Sequence, residues 1–477
     1  MEEVGLSDVI SRLSQAFEAG QHDQVEELLY PALDQYPGVA PLWFFAGNVN
    51  FRLKSAAMAL ACYNRSNELE TNPHVMANMA ACYRRLNLTD LGIVVAKRAL
   101  TLDPNCLPAL VNLGGMSVNE GDPGPGIQAL EKALPLTEEH AARWNLGLLY
   151  LEAGRFAEGF DLYASGRGYE RLIRTYPVPG RPEPILLEPE HERAGKTLVV
   201  WGEQGIGDEL MFGTLLEEAR QDFGRVILDC HPRLARLHAT AHPTIELRPT
   251  RKLVPELATW PAREDAQIDY KAPIGDLARL YRRSPGDFKP ARRIEANRQE
   301  ALGYRQRLVA HTGDRKLIGL AMRGGVISTA RLMRSVRMED LEPLFEQTDA
   351  CFVSLDYEDM SALATQIQER YGRDRFHWFP SILYAWDYDH TAALVAATDM
   401  TVTVCQSVAH LSALMGHPTR VLTPTRVAWR YGLEGESWYW YPGADAKLYR
   451  QERGDSWARV VAKVVADINQ LERRTWP

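Results

Sequence analysis

Small residues recur through the first third of the chain at a fixed interval, and that regularity limits the folds open to it. Gly47, Ala80, Gly114 and Gly147 are separated by 33, 34 and 33 residues, and Ala32, Ser66, Ala99 and Ala133 by 34, 33 and 34. A period of this length corresponds to one helical hairpin per unit. A small side chain returns wherever two helices approach too closely for a long one. Gly20, Asn87, Gly121 and Gly154 fall between the paired helices, where the backbone must reverse. The segment HVMANMAACYRRLNLTDLGIVVAKRALTLDPN carries the whole pattern, with Ala80 and Tyr83 on its first helix, Gly92 and Ala99 on its second and Pro104 closing it. Counting the N-terminal segment and residues 141–165, about five hairpins are expected.

On these residues the first part resembles the tetratricopeptide family, whose hairpins stack into a superhelix with a concave face. Asn78, Asn112 and Asn145 each precede a small residue by two positions. A carboxamide both donates and accepts, so a ladder of them can grip an extended peptide backbone without reading its side chains. In protein O-GlcNAc transferases a similar ladder in the tetratricopeptide arm holds the acceptor polypeptide. Asparagine is also common at this position of the repeat, so a peptide-binding ladder and ordinary consensus stand as equal alternatives.

From Tyr176 to Glu190 the stretch YPVPGRPEPILLEPE holds five prolines. Proline fixes φ and removes a donor, which predicts an extended strap. Beyond it, short β-branched runs alternate with helical stretches: TLVVWG, RVILDC, TIELRP, LIGLAM, CFVSLD, MTVTV and RVLTP. That alternation predicts parallel sheets covered by helices on both faces. The chain therefore divides into repeats over 1–165, a proline-rich linker over 166–195, and two Rossmann-like halves over 196–310 and 311–477. The fold class is α + α/β. Ligands of such sheets sit at the C-terminal ends of the strands.

A net charge of −8 argues against nucleic acid as the main ligand. The six cysteines form no Cys-x-x-Cys pair, so no metal site or disulfide framework is expected, and scattered thiols suit a reducing compartment. The acidic, amphipathic start lacks the features of a signal peptide, and no apolar run approaches the ~20 residues of a membrane span. A cytoplasmic location is expected.

Two motifs could carry chemistry. In VVWGEQGIGDELMF, Gly205 and Gly207 allow tight turns after a strand and Asp208 opens a helix. The pattern is neither G-x-G-x-x-G nor a Walker loop, and Asp208 could equally be an N-cap. In TVTVCQSVAHLSALMGHPTRVLTP, Cys405, Gln406 and Ser407 leave a strand, Ser407 could cap the next helix, and His410 falls in its first turn. Such a helix start suits a diphosphate. Between them, Arg323, Arg331, Arg334 and Arg337 form a local basic cluster after a strand and a Gly-Gly turn. Guanidinium groups there could stabilise a departing nucleoside diphosphate, or form a solvated, salt-bridged face.

The stretch AGKTLVVWGEQGIGDELMF, the segment DMTVTVCQSVAHLSALMGHPTRVLTP, and WRYGLEGESWYWYP with LYRQ resemble bacterial tetratricopeptide glycosyltransferases related to ADP-heptose heptosyltransferases. The resemblance implies a GT-B domain, metal-independent inverting transfer from a nucleotide sugar without a cofactor, and Asp208 as general base. It implies donor contacts at Gly205, Gly207, Arg323, Arg331, Arg334, Gln406, Ser407 and His410. The acceptor would be a polypeptide, such as a surface or flagellar protein, held by Asn78, Asn112 and Asn145. The chain departs from the family at Cys405-Gln406, where relatives usually have Asp-Thr, and at Met322-Arg323, where they have Trp-Ser. Those departures keep two other readings open: a tetratricopeptide scaffold with a vestigial sugar-nucleotide site, and transfer to a glycan or lipid. His238 and His242 have metal-ligand spacing without an evident third ligand, no G-x-S-x-G elbow is present, and the aromatic run Trp438–Tyr441 suits stacking or core packing.

Overall fold

A computed structural model of the chain describes residues 6–165, 174, 176, 182–203, 205–250, 267–325, 334–383, 387–452 and 454–473. It divides into two compact units, Met1–Ala153 and Gly154–Pro477.

The first unit is all helix: α1 (Leu6–Glu18), α2 (His22–Gln35), α3 (Ala40–Arg52), α4 (Ala56–Leu69), α5 (Pro73–Arg85), α6 (Thr89–Leu102), α7 (Leu107–Ser117), α8 (Gly124–Ala133) and α9 (His140–Glu152). Starts are marked by local chemistry, as at α5, where Pro73 follows an Asn72 side chain that accepts the His74 N–H at 2.8 Å. Gly20, Asn87, Gly121 and Gly154 all take positive φ, as the turns between paired helices require. Both small-residue series are buried: Ala80, Ala99 and Ala133 are fully enclosed. A Cβ at Gly47 would lie 2.3 Å from the Tyr63 ring, and one at Gly114 would lie 2.2 Å from Leu130 Cγ. The unit is thus tetratricopeptide-like in its helix pairing and in the reason for its period.

One buried carboxylate bears on this unit's stability. Glu152 accepts the Asn119 N–H at 2.8 Å, yet burial pushes its pKa up to about 8.

The second unit opens with α10 (Phe156–Ser165), whose spacing makes it the last helix of the repeat series. Its rings pack inside this unit, Phe160 against Trp429 at 5.7 Å and Tyr163 against Phe212 at 6.1 Å. There follow β1 (Ile185–Leu186), β2 (Thr197–Trp201), α11 (Ile206–Gly213), α12 (Leu216–Asp222), β3 (Arg225–Asp229), α13 (Ala235–Ala241), β4 (Glu246–Leu247), β5 (Tyr270–Pro273) and α14 (Ala278–Tyr281). The strands form one parallel sheet in the order β1-β5-β2-β3-β4. The second sheet is built from α15 (Arg298–Thr312), β6 (Lys316–Ala321), α16 (Met338–Glu346), β7 (Ala350–Ser354), α17 (Ser361–Tyr371), β8 (Phe376–His377), α18 (Asp389–Ala397), β9 (Met400–Val404), α19 (Ser407–Leu414), β10 (Thr419–Thr423), β11 (Ala446–Arg450) and α20 (Ala458–Gln470). Its six strands are also parallel, in the order β11-β10-β9-β6-β7-β8. Strands buried on both faces read as continuous apolar runs, which is why β2, β3, β6, β7, β9 and β10 are visible in the sequence.

The remaining strands are less legible. TIELRP yields only the two residues of β4, while β1, β5, β8 and β11 are too short or too polar to stand out. Lys271 in β5 is buried and satisfied by Glu183 at 2.7 Å and the Arg174 carbonyl at 3.1 Å. The proline strap contributes β1 as an edge strand, and Tyr176 is buried with its hydroxyl donating to Asp229 at 2.9 Å.

Two outcomes are expected for the first unit. Gly114→Ala should destabilise it by about 1–3 kcal/mol, because Leu130 must move off its rotamer; an unchanged thermal midpoint would show that the α7–α8 pair yields freely. The unfolded chain loses the Glu152 proton near pH 4.5, and the folded chain keeps it to about pH 8. Stability should therefore fall as pH rises between those values, and Glu152→Gln should flatten that fall in denaturant titrations.

Candidate functional site

The strand ends of the second unit bring two helix N-termini together. After β2 the chain turns through Gly202 and Gly205 into α11, and after β9 it turns through Cys405 and Gln406 into α19. Gly207 lies at their meeting point, where a Cβ would be tight, 3.2 Å from Ser407 Cα and 3.4 Å from the His410 ring. Gly205 is the N-cap of α11 and Asp208 its third residue, so the carboxylate reaches back to accept the Gly205 N–H at 3.3 Å. Its other oxygen pairs with Arg430, which lies 222 positions along the chain on the turn Trp429–Tyr431. The Asp208 side chain keeps 19% of its surface exposed, so a solute can still reach it.

His410 is buried behind this pair. Its Nδ1 lies 2.7 Å from the Tyr441 hydroxyl and its Nε2 3.3 Å from that of Tyr431. Burial is the main cause of a pKa lowered to about 3, with Asp208 opposing and Arg430 adding to the shift. The imidazole is therefore neutral at physiological pH and serves as a fixed hydrogen-bonding post. Ser407 does not cap α19; Gln406 holds the N-cap position, and the Ser407 hydroxyl pairs with that of Tyr388 at 2.8 Å. Gln406 is buried, and among the described residues its Nε2 has no hydrogen-bond partner. The Cys405 thiol is buried beneath it and pushed up to about 12, chiefly by burial and against the pull of Arg334 and Arg450.

The basic cluster disperses. Arg334 lies close enough to Cys405 and Tyr431 to act on both electrostatically. Arg323 turns instead to Glu358, 2.7 Å away, while the Met322 and Arg323 N–H groups donate to Asp356. Burial raises the Asp356 carboxyl to about 6. Arg337 pairs with Asp340 at 3.1 Å, and Arg331 lies outside the described residues.

Arg430 was not singled out by sequence spacing. Its signal was a lone cation inside the aromatic run WRYG, and the loop around it is pinned from several sides. Trp438 donates to the Arg430 carbonyl at 2.8 Å, and Arg450 donates to the carbonyls of Tyr431 and Gly432. Trp440 reaches across to the Met211 carbonyl at the end of α11, at 2.9 Å. The aromatic run is therefore packing that bolts the second sheet's loop to the first sheet's helix. His238 on α13 and His242 at its C-cap are buried, with His238 Nε2 3.6 Å from Glu209, and belong to no metal-ligand cluster among the described residues.

In the first unit the asparagine series takes part in the scaffold. Asn78 donates to Asn48 at 3.3 Å, Asn112 donates to the Ala77 carbonyl at 2.9 Å, and Asn145 lies against Gly115.

No protein-family model matches the chain. It is similar to protein FlbA of Caulobacter vibrioides, with 24% identity over 458 residues, 86% of this chain and 75% of that protein. Among solved structures it is similar to a thermophilic tetratricopeptide protein of Thermus thermophilus, with 20% identity, a TM-score of 0.29, and 34% of this chain and 89% of that one covered. It is also similar to pilF of Pseudomonas aeruginosa, with 17% identity, a TM-score of 0.32, and coverage of 45% and 84%. Among the described residues, no helix is long and apolar enough to cross a membrane.

Two buried histidines, His242 and His410, and the half-buried His377 should make the second unit acid-sensitive. His242 and His410 are lowered to about 3 and His377 to about 4, burial being the first cause in each. The unfolded chain takes up these protons near pH 6.5, the folded one only well below it, so stability should fall as pH drops from 6.5 towards 4. Replacing His242 and His377 together by glutamine should make that fall shallower in thermal melts.

Proposed function

We propose that the second unit is an inverting glycosyltransferase of GT-B architecture that moves a sugar from a nucleotide sugar to an acceptor hydroxyl. The observation that carries this reading is the position of Asp208: a partly exposed carboxylate in the first turn of α11, one residue after the Gly207 that meets the start of α19, and close enough to act on His410. In the proposed reaction the acceptor hydroxyl gives its proton to Asp208 as its oxygen bonds to the anomeric carbon. The bond from that carbon to the diphosphate breaks, and the diphosphate leaves with the electron pair. The free N–H groups at the start of α19, the Gln406 amide and Arg334 supply donors and positive charge for the leaving group. His410 stays neutral and holds Tyr431 and Tyr441, and with them the loop that carries Arg430. The site residues need no metal for this chemistry. The acceptor would be a polypeptide recruited by the repeats.

A second reading, a repeat scaffold whose nucleotide-sugar site no longer transfers, is favoured by the neutral Cys405-Gln406 pair and by the engagement of Asp208 with Arg430.

Calorimetry of the full chain against a panel of nucleotides and nucleotide sugars should give one selective partner in the micromolar range; no binding to a well-folded protein would overturn the reading. With that donor, Asp208→Asn should abolish transfer while leaving folding and donor affinity in place. Donor binding without transfer to any hydroxyl acceptor would favour the scaffold. Asn112→Ala with Asn145→Ala should weaken peptide acceptors alone, and unchanged acceptor affinity would assign both asparagines to the scaffold.

A further inference from the structure

The first unit holds a group of side chains that the proposed reaction does not use. His74 is the second residue of α5, Asp103 follows α6, and Cys106 is the N-cap of α7. One ligand atom from each, an imidazole nitrogen, a carboxylate oxygen and a thiol sulfur, lie within 4.8 Å of one another. It is the one cluster of its kind among the described residues. The turn Asp103–Cys106 is closed by its own bonds: the Asp103 carboxylate accepts the Asn105 N–H at 2.9 Å, and the Cys106 N–H donates to the Asp103 carbonyl at 3.1 Å. Two of the three ligands are therefore held in place, and the third is an exposed histidine free to change rotamer.

We propose that His74, Asp103 and Cys106 bind a zinc-like divalent ion, with water or an outside ligand in the fourth position. The donor set decides the class of ion. Magnesium and calcium take oxygen ligands, whereas a thiolate, an imidazole and one carboxylate suit zinc. Bonds of about 2.0–2.3 Å require the ligand atoms to close from their present spacing to roughly 3.3–3.8 Å, a movement within reach of the His74 side chain. Burial raises the Cys106 thiol, with the Ala109 N–H opposing and Asp103 adding to the shift, so an ion must displace the thiol proton as it binds. The Asp103 oxygen not bonded to Asn105 remains available to the ion. Lys132, which donates to the Pro104 carbonyl at 2.6 Å, brings a cation to the same turn and sets a limit on affinity. An ion here would tie the start of one hairpin to the start of the next, a cross-link between consecutive repeats.

Cobalt(II) reports such a site by its colour. The full chain, free of any affinity tag, should develop a thiolate-to-cobalt charge-transfer band and the visible bands of a tetrahedral ion, and zinc should abolish both. Cys106→Ser should lose the charge-transfer band. His74→Ala, at an exposed position, should keep its fold and lose the tetrahedral bands. Zinc should raise the thermal midpoint of the parent chain and leave that of His74→Ala unchanged. Absence of the bands in excess cobalt, or their persistence in both variants, would overturn the proposal.

Discussion

The second unit depends on one close approach. Two parallel sheets each end a central strand in a short turn and a helix, and those helices, α11 and α19, meet at their N-termini through Gly207. Two like-signed dipole ends so close would repel one another, and a negative charge between them is the physical remedy. Asp208 supplies it from within α11, and Arg430 then completes the pair from the far end of the chain. The carboxylate that could act on a substrate is thus also one half of an ion pair that links the two halves of the unit, and an asparagine in its place could still accept the Gly205 N–H.

Around that pair the aromatic residues act as positioning elements. Trp429, Trp438 and Trp440 are buried almost completely, and each is tied either to a backbone carbonyl or to another ring. A buried indole N–H needs a partner, and here the Trp438 and Trp440 partners are carbonyls of the Arg430 turn and of α11. The same contacts that bury apolar area therefore fix the height of the guanidinium over the site. His410 works in the same way: a charged imidazole would be costly in that enclosure, whereas a neutral one satisfies two tyrosine hydroxyls at once.

How much of this was legible in the sequence follows from the range of each signal. The repeat period is local and survives every context, because a long side chain at Gly47 or Gly114 would collide with its own hairpin. Central strands show as unbroken apolar runs; edge strands of two residues do not. The motifs ending in Asp208 and starting at Ser407 could be seen as strand-to-helix turns, but nothing in either stretch says that they face each other. Arg430 was hidden for the same reason, since its partner lies 222 positions away. Ser407 falls inside α19 rather than at its cap: Gln406 holds the N-cap position without a side-chain bond to the helix, and the serine hydroxyl pairs with Tyr388, on the approach to α18. The cluster His74, Asp103 and Cys106 has no motif spacing at all; only the stacking of hairpins brings its members together.

The departure at Cys405-Gln406 can be weighed on charge alone. A carboxylate at the start of α19 would orient polar groups of a ligand, but it would also repel phosphate. In this chain the thiol at 405 stays protonated through the physiological range, and the amide at 406 offers a donor that no described neighbour uses. The helix N-terminus and Arg334 then act without an opposing charge at those two positions. If the unit is the proposed glycosyltransferase, its donor would therefore be recognised more by its phosphates than by its sugar hydroxyls, and sugar selectivity would come from residues beyond the α19 turn.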